Sequence, residues 1–269
     1  MIRYKKIVST IAILIFVIGA FFLFQGITSP AKAIRDGVNS VQLVSNQIKV
    51  DNEKSIPHTY NGKVRKVAYL TFDDGPGKYT SELLNVLKEN DVKATFFLIG
   101  PNIHQYVNEV KRESMEGHYV GMHSMTHNYK PLYKENKYVI EMRETQKVIE
   151  NTIKYKPTLT RPPYGSTGFT ENIRNQIVEN QLKVWDWTID SLDWKLTKLP
   201  LEQSVAQIVN NVVSQATKNR EVILLHDIHQ QSVKAVPFII KGLKEKGYEF
   251  EPYSESSHFP VNFWHDNRL

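Results

Sequence analysis

The sequence predicts an α/β fold in which a parallel sheet is covered by helices, built either as a (β/α) barrel or as an open doubly wound sheet. Two observations predict it. Short apolar, β-branched or aromatic runs alternate six or seven times with segments of helical spacing. The runs are also too uniformly apolar to keep one face in water, as strands of an antiparallel sheet commonly do.

The elements follow in chain order. Residues 64–72 read as the first strand, and Leu83, Leu84 and Leu87 as the stripe of the helix after it. Strand 94–99 precedes a helical pattern at Ile103, Tyr106, Val107 and Val110, and strand 119–122 precedes one at Ile140, Glu144, Val148 and Ile149. Strand 158–161 is followed by Ile173 and Ile177, and strand 182–189 by Val205, Ile208, Val209, Val212 and Val213. Strand 221–225, a stripe at Val236, Ile239, Ile240 and Leu243, and strand 248–251 complete the series. Phe259, Phe263 and Trp264, in residues 254–269, are expected to pack back onto this body rather than bind a ligand.

The N-terminal residues are of another kind. Residues 1–6 carry three positive charges, 7–24 are uncharged and mostly apolar, and Ala31-Lys32-Ala33 follows. That is the layout of an export signal with an A-x-A cleavage site. The alternative is an uncleaved anchor, since 18 residues of helix reach about 27 Å, close to the roughly 30 Å hydrocarbon core. Both readings put the remainder outside the membrane, free or anchored to its outer face, with membrane contact limited to 7–24. Polar residues 34–63 read as a tether.

Composition excludes several classes. At 41% hydrophobic and 23% charged the 269 residues are ordinary for a globular protein. Lys and Arg total 34 against 28 acids, but four of the cations lie in residues 1–33, where no acid occurs, leaving 30 against 28 elsewhere. A nucleic-acid partner is therefore not expected. The absence of Cys rules out a disulfide scaffold, a thiolate nucleophile and thiolate metal ligands.

The informative residues end the strands: Asp73-Asp74-Gly75-Pro76, His123-Ser124-Met125-Thr126-His127, Arg161-Pro162-Pro163-Tyr164-Gly165, Asp190-Ser191-Leu192-Asp193-Trp194 and His226-Asp227. In parallel α/β folds the carboxyl ends of the strands share one face, which collects the ligand. Each group alone has an ordinary structural reading, such as turn chemistry for Asp-Asp-Gly-Pro or a solvated helix face for the paired histidines. Five such accidents on one rim are improbable. Chemically the set suits a metal hydrolase. His123 and His127, expected one helical turn apart, can share an ion with one carboxylate of the Asp pair; the other carboxylate is free as general base, and His226 can protonate a leaving atom.

These residues resemble the polysaccharide deacetylases, carbohydrate esterase family four with the NodB homology domain. Five motifs appear in order: Thr71-Phe72-Asp73-Asp74-Gly75-Pro76, His123-Ser124-Met125-Thr126-His127, Arg161-Pro162-Pro163-Tyr164-Gly165, Asp190-Ser191-Leu192-Asp193-Trp194 and Leu224-Leu225-His226-Asp227. The resemblance covers residues 64–253, and 224–247 look most like the peptidoglycan N-acetylglucosamine deacetylases. It implies a distorted (β/α) barrel of about seven parallel strands, like a TIM barrel with fewer than eight regular units. It further implies a divalent metal, commonly zinc though cobalt or another divalent ion also fits, on Asp74, His123 and His127. Asp73 would be the base, aimed by Arg161. His226 would be the acid, oriented by Asp193. The backbone N–H of Tyr164 would bind the oxyanion, and Trp194 with Leu224 would form the pocket for the acetyl methyl. The implied reaction is N-deacetylation of a cell-wall glycan by an exported monomer. Chitin oligomers, poly-N-acetylglucosamine and muramic acid remain alternative substrates. A catalytically silent wall-binding module would be expected to lack one of the reactive residues, and none is missing. Trp187 reads as packing, while Tyr129 and Tyr133 are open between packing and sugar stacking.

Overall fold

The computed structural model describes residues 59–60 and 63–269. The leader 1–33, with its apolar run 7–24, lies outside the described residues, as does the tether 34–63 apart from residues 59, 60 and 63. A short antiparallel pair, β1 (Thr59–Tyr60) and β2 (Lys63–Val64), precedes the main sheet. The strands of that sheet are β3 (Lys66–Gly75), β4 (Thr95–Leu98), β5 (Tyr119–Met122), β6 (Leu159–Thr160), β7 (Lys183–Val184), β8 (Ile189–Asp190), β9 (Arg220–His226) and β10 (Tyr248–Phe250). Its helices are α1 (Thr80–Glu89), α2 (Gly100–Gln105), α3 (Val107–Met115), α4 (Tyr138–Ile153), α5 (Glu171–Glu179), α6 (Leu201–Gln215) and α7 (Gln230–Glu245).

Seven strands run in the order β7-β6-β5-β4-β3-β9-β8, all parallel, and β10 pairs with the first half of β3. The chain itself shows that this sheet is curled. Laid flat, its outer strands would stand about 29 Å apart at the usual interstrand spacing. Yet the outer strands β7 and β8 are consecutive, and the connection from Val184 to Ile189 spans at most about 18 Å. The edges must therefore approach each other, giving the distorted (β/α) barrel that the resemblance implied. Residues 260–262 lie at the seam: Val261 bridges Trp185 in parallel, and Asp186 N donates to Val261 O at 2.6 Å. The single run expected over 182–189 is thus two strands at opposite edges, because closure needs a crossing there.

Alternation within the strands sorts residues into two cores. Ala68, Leu70, Phe72, Phe96, Leu98, Val120, Met122, Ile223 and Leu225 face the helices. Val67, Tyr69, Phe97, Tyr119, Leu159, Trp185, Val222 and Tyr253 fill the interior. The interior is largely aromatic, with Trp185 packed edge-on against Tyr69 at 5.2 Å and Tyr253 at 4.9 Å. Gly121 fits the crowded lumen because a Cβ there would lie 2.9 Å from Leu159 O and 3.0 Å from the Phe97 ring. In α4 the buried stripe is Val139, Met142, Gln146, Ile149 and Ile153, whereas Ile140 and Glu144, expected inside, face solvent. Two overlapping apolar stripes compete along that stretch, and the one continued by Met142 and Ile153 buries more.

Candidate active site

The interior parity delivers the candidate site residues. Asp73 lies four residues after Tyr69, His123 four after Tyr119, Arg161 two after Leu159, and His226 four after Val222, each of which is an interior residue. Each therefore emerges at the carboxyl end of its strand on the lumen side. Asp74 follows Asp73 and would point away from it in a regular strand. Instead the β3–β4 register shifts between Asp73 and Gly75, and Asp74 has φ 69°, so the bulge turns its carboxylate back to the same mouth.

Asp74 Oδ1 lies 3.3 Å from both His123 Nε2 and His127 Nε2. One atom from each of the three residues falls within 4.8 Å of the others. His123 Nδ1 is 2.8 Å from Arg161 O, and since a carbonyl only accepts, Nδ1 carries the proton and Nε2 keeps its lone pair for a ligand. Burial and the neighbouring His123 lower the pKa of His127, which favours its neutral, ligating form. Burial opposes the Asp74 charge, but the imidazoles around it hold the carboxyl below the usual carboxylate range. Asp74 Oδ1 is buried and has no hydrogen-bond donor. A carboxylate oxygen with no donor and two imidazole nitrogens, all facing one point, fit a divalent cation.

The expected helix linking the two histidines is absent. Residues 123–127 form a loop with positive φ at Ser124 (73°) and His127 (49°). The i,i+4 spacing brings the rings to 5.1 Å by loop closure, not by a helical turn. What holds this loop was not read from the sequence: the buried Glu141 carboxylate accepts the backbone N–H groups of Met125 at 3.1 Å and Thr126 at 2.9 Å, and the Thr126 hydroxyl at 3.0 Å. Ser124 Oγ accepts His127 N at 3.0 Å.

Asp73 lies beside this cluster, its Oδ2 3.8 Å from His123 Nε2. Its other oxygen takes Arg161 Nη1 at 3.0 Å. Arg161 is fully buried; its remaining donors go to Trp185 O, Asp186 O and the Thr71 hydroxyl, and its guanidinium lies 4.3 Å from the Phe97 ring. Burial lowers the Arg161 pKa and Asp73 works against that, with the guanidinium remaining charged.

His226 Nε2 reaches within 4.0 Å of Asp74 Oδ2 from β9, the strand paired with β3 on the side opposite β4. Its Nδ1 donates to Asp193 Oδ1 at 2.8 Å, while Asp193 Oδ2 accepts His226 N at 2.8 Å and the Ser232 hydroxyl. Burial alone would lower the His226 pKa; the Asp193 hydrogen bond and charge more than offset it, raising the pKa to about 9. His226 is therefore protonated at neutral pH and suited to donate.

The remaining sequence-identified residues occupy the rim. The Tyr164 ring is 4.8 Å from that of His127, its hydroxyl donates to His127 O at 2.8 Å, and among the described residues no acceptor takes its backbone N–H. Leu224 is buried on the inward face two residues before His226, and Trp194 is an exposed ring beside Asp193. Tyr133 packs, donating its hydroxyl to Pro163 O, while Tyr129 is exposed. Asp227, although next to His226, is turned away into a buried contact with Thr80 and Gly75.

A polysaccharide deacetylase family model matches residues 61–185. A peptidoglycan-N-acetylglucosamine deacetylase of Bacillus cereus is 61% identical over 269 residues, covering 100% of this chain and 98% of that protein. The peptidoglycan-N-acetylmuramic acid deacetylase PdaC of Bacillus subtilis is 36% identical over 192 residues, 71% of this chain and 38% of that one. Among solved structures, the polysaccharide deacetylase Bc1974 from Bacillus cereus superposes with a TM-score of 0.76 at 67% identity, over 76% of this chain and 100% of that one. Given a relative this similar along its whole length, and a barrel that brings the five motifs to one mouth, the chain belongs to the polysaccharide deacetylase family.

Proposed function

We propose that the protein hydrolyses the acetamide of N-acetylglucosamine residues in an extracellular glycan, peptidoglycan above all, releasing acetate and leaving a free amine on the sugar. The observation that carries the chemistry is the convergence of Asp74, His123 and His127, with the Asp73 carboxylate 3.8 Å and the His226 imidazole 4.0 Å from members of that cluster. The peptidoglycan substrate is supported by the name of the 61% identical relative. The export layout of residues 1–33 supports a setting outside the cytoplasmic membrane.

Asp74, His123 and His127 would hold the divalent ion, for which their two nitrogens and one oxygen favour zinc. When bound, it supplies Lewis acidity that polarises the acetyl carbonyl and makes a water easier to deprotonate. The chain's own groups do the rest. Asp73, aimed by Arg161, takes a proton from the attacking water as its oxygen bonds to the carbonyl carbon. The free N–H of Tyr164 donates to the oxyanion that develops, a contact of the kind whose removal costs roughly 2.7–4 kcal/mol. His226 then passes its Nε2 proton to the amide nitrogen as the C–N bond breaks, since the amine leaves only when protonated. Trp194 and Leu224 border the space for the acetyl methyl.

The test is acetate release by the purified chain on peptidoglycan, chitin oligomers and poly-N-acetylglucosamine, with a chelator and with zinc or cobalt added back. The expected result is greatest release from peptidoglycan, silenced by chelation and restored by metal. Release from none of the three, or full activity in chelator, refutes the proposal. Free amines found on muramic acid instead of glucosamine would move the substrate to that of PdaC.

A further inference from the structure

Two successive residues beside the metal ligands have left-handed backbone: Tyr164 at φ 65° and Gly165 at φ 81°. Glycine adopts this conformation freely, but a tyrosine holds it only where the surroundings over-determine it. Three of the restraints come from nearer in the chain. Gly165 N donates to Pro162 O at 2.9 Å, the Tyr164 hydroxyl is fixed on His127 O, and Ser166 N donates to Asp186 Oδ1 at 2.9 Å.

The fourth comes from a hundred residues away. A Cβ placed on Gly165 would lie 2.7 Å from Phe263 Cε2, so the Phe263 ring is packed flush against the Gly165 backbone. That ring is itself fixed. It stands edge-on to Trp187 at 5.1 Å, and Phe263 N donates to Asp186 Oδ2 at 2.8 Å, the same carboxylate that holds Ser166. The next residue repeats the attachment, Trp264 Nε1 donating to Ser166 O at 2.7 Å. Residues 263 and 264 thus grip the turn at Gly165 and Ser166, although both rings remain exposed, Phe263 at 40%.

We infer that Phe263 is a positioning residue for the reaction: by backing the Tyr164–Gly165 turn it keeps the Tyr164 N–H aimed at the developing oxyanion. The inference rests on the proposed reading of that N–H as the oxyanion donor. A ring absent from the backing side lets the turn relax, and a donor displaced by a fraction of an ångström loses part of the 10²–10³ in kcat lost when such a donor is removed outright.

The experiment compares Phe263→Ala, Phe263→Leu and Phe263→Tyr in the full zinc-loaded chain, by acetate release from acetylated chitin oligomers, zinc affinity and thermal midpoint. Expected for Phe263→Ala is a fall in kcat of about tenfold with KM and zinc affinity each within about twofold, while Phe263→Tyr, which keeps the ring, stays within about twofold of the parent. If Phe263→Ala does not fold, Phe263→Leu carries the comparison with a smaller fall in the same direction. An unchanged kcat overturns the inference even if the thermal midpoint drops, because the contact is then merely structural. A kcat loss matched by lost zinc affinity also overturns it, by placing the damage at the metal ligands. A parent enzyme that releases no acetate from chitin oligomers, peptidoglycan or poly-N-acetylglucosamine overturns the underlying reading instead.

Discussion

Replacing Asp193 with Asn isolates the charge that keeps His226 protonated. The two side chains have the same shape, and Asn keeps an oxygen to accept the Nδ1–H now held at 2.8 Å. The charge is lost, and so is the second oxygen, which accepts His226 N and the Ser232 hydroxyl. Burial lowers the His226 pKa, and Asp193 is the main influence that lifts it to about 9; Asp73 and Asp74 add to this through space only. Without Asp193 the imidazole falls toward its ordinary 6.5. In the metal-free protein at pH 7.5 its protonated fraction then drops from about 97% to about 9%; in the zinc-loaded enzyme, where the cation opposes the imidazolium in parent and variant alike, kcat should fall in the same direction, by about tenfold. The alkaline limb of the kcat profile should move to lower pH by about 2.5 units. A second readout follows by linkage in metal-free protein. Because the native pKa lies above the unfolded one, His226 contributes stability that is fully present below pH 6.5 and lost as pH rises toward 9, about 3 kcal/mol over that window. Asp193, whose own pKa is lowered by the His226 charge against the opposing effect of burial, loses its contribution only near and below pH 3.8, outside the window. Urea unfolding of the parent should therefore weaken between pH 6.5 and 9, and the variant should lack that slope. A variant with the parent's alkaline limb and the parent's slope would refute the assignment of His226 as an acid held charged by Asp193.

Asp73→Asn should lower acetate release by about 10²–10⁴ while zinc remains bound in a metal assay, since the proposed base is lost and the proposed ligands are kept. It should also lower the thermal midpoint, because Arg161, fully buried, loses its counter-charge. Loss of zinc in that variant would make Asp73 a ligand. Glu141→Gln should weaken zinc affinity by about 10- to 100-fold in a competition titration, because it removes charge from the carboxylate that clamps the His123–His127 loop. An unchanged affinity would show that Ser124 suffices to hold the loop.

Much of this was legible in the sequence because strands write their parity plainly. Asp73, His123 and His226 each stand four residues after an interior residue, so their convergence follows from the alternation of β3, β5 and β9. What the pattern could not show is where the backbone leaves regular geometry. Asp74 reaches the mouth only through a bulge with φ 69°, and the two histidines approach through a loop where a helical turn was expected. The run 182–189 looks like one strand because its composition is continuous, whereas the crossing at residues 185–188 is imposed by closure of the sheet. Glu141 went unread because it lies on a helix and acts through hydrogen bonds to backbone, which leave no periodic trace.

Acids near the mouth illustrate why residue type alone does not assign a role. Asp74 offers an orphaned oxygen to two imidazoles, Asp193 pairs with one imidazole, and Asp186 takes backbone N–H groups from Ser166 and Phe263. Asp227 stands in the Leu-Leu-His-Asp motif beside His226, yet parity turns it to the opposite face, where Thr80 donates to it and Gly75 leaves just enough room. Burial raises its pKa to about 7, the reverse of what a standing carboxylate ligand requires. The motif therefore joins two residues that do different work: His226 faces the mouth beside Asp74, and Asp227 ties the end of β9 to the start of α1, holding the turn that follows Asp73 and Asp74. A substitution at Asp227 should accordingly act through the placement of that turn, which is a property of the barrel's closure and not of proton transfer.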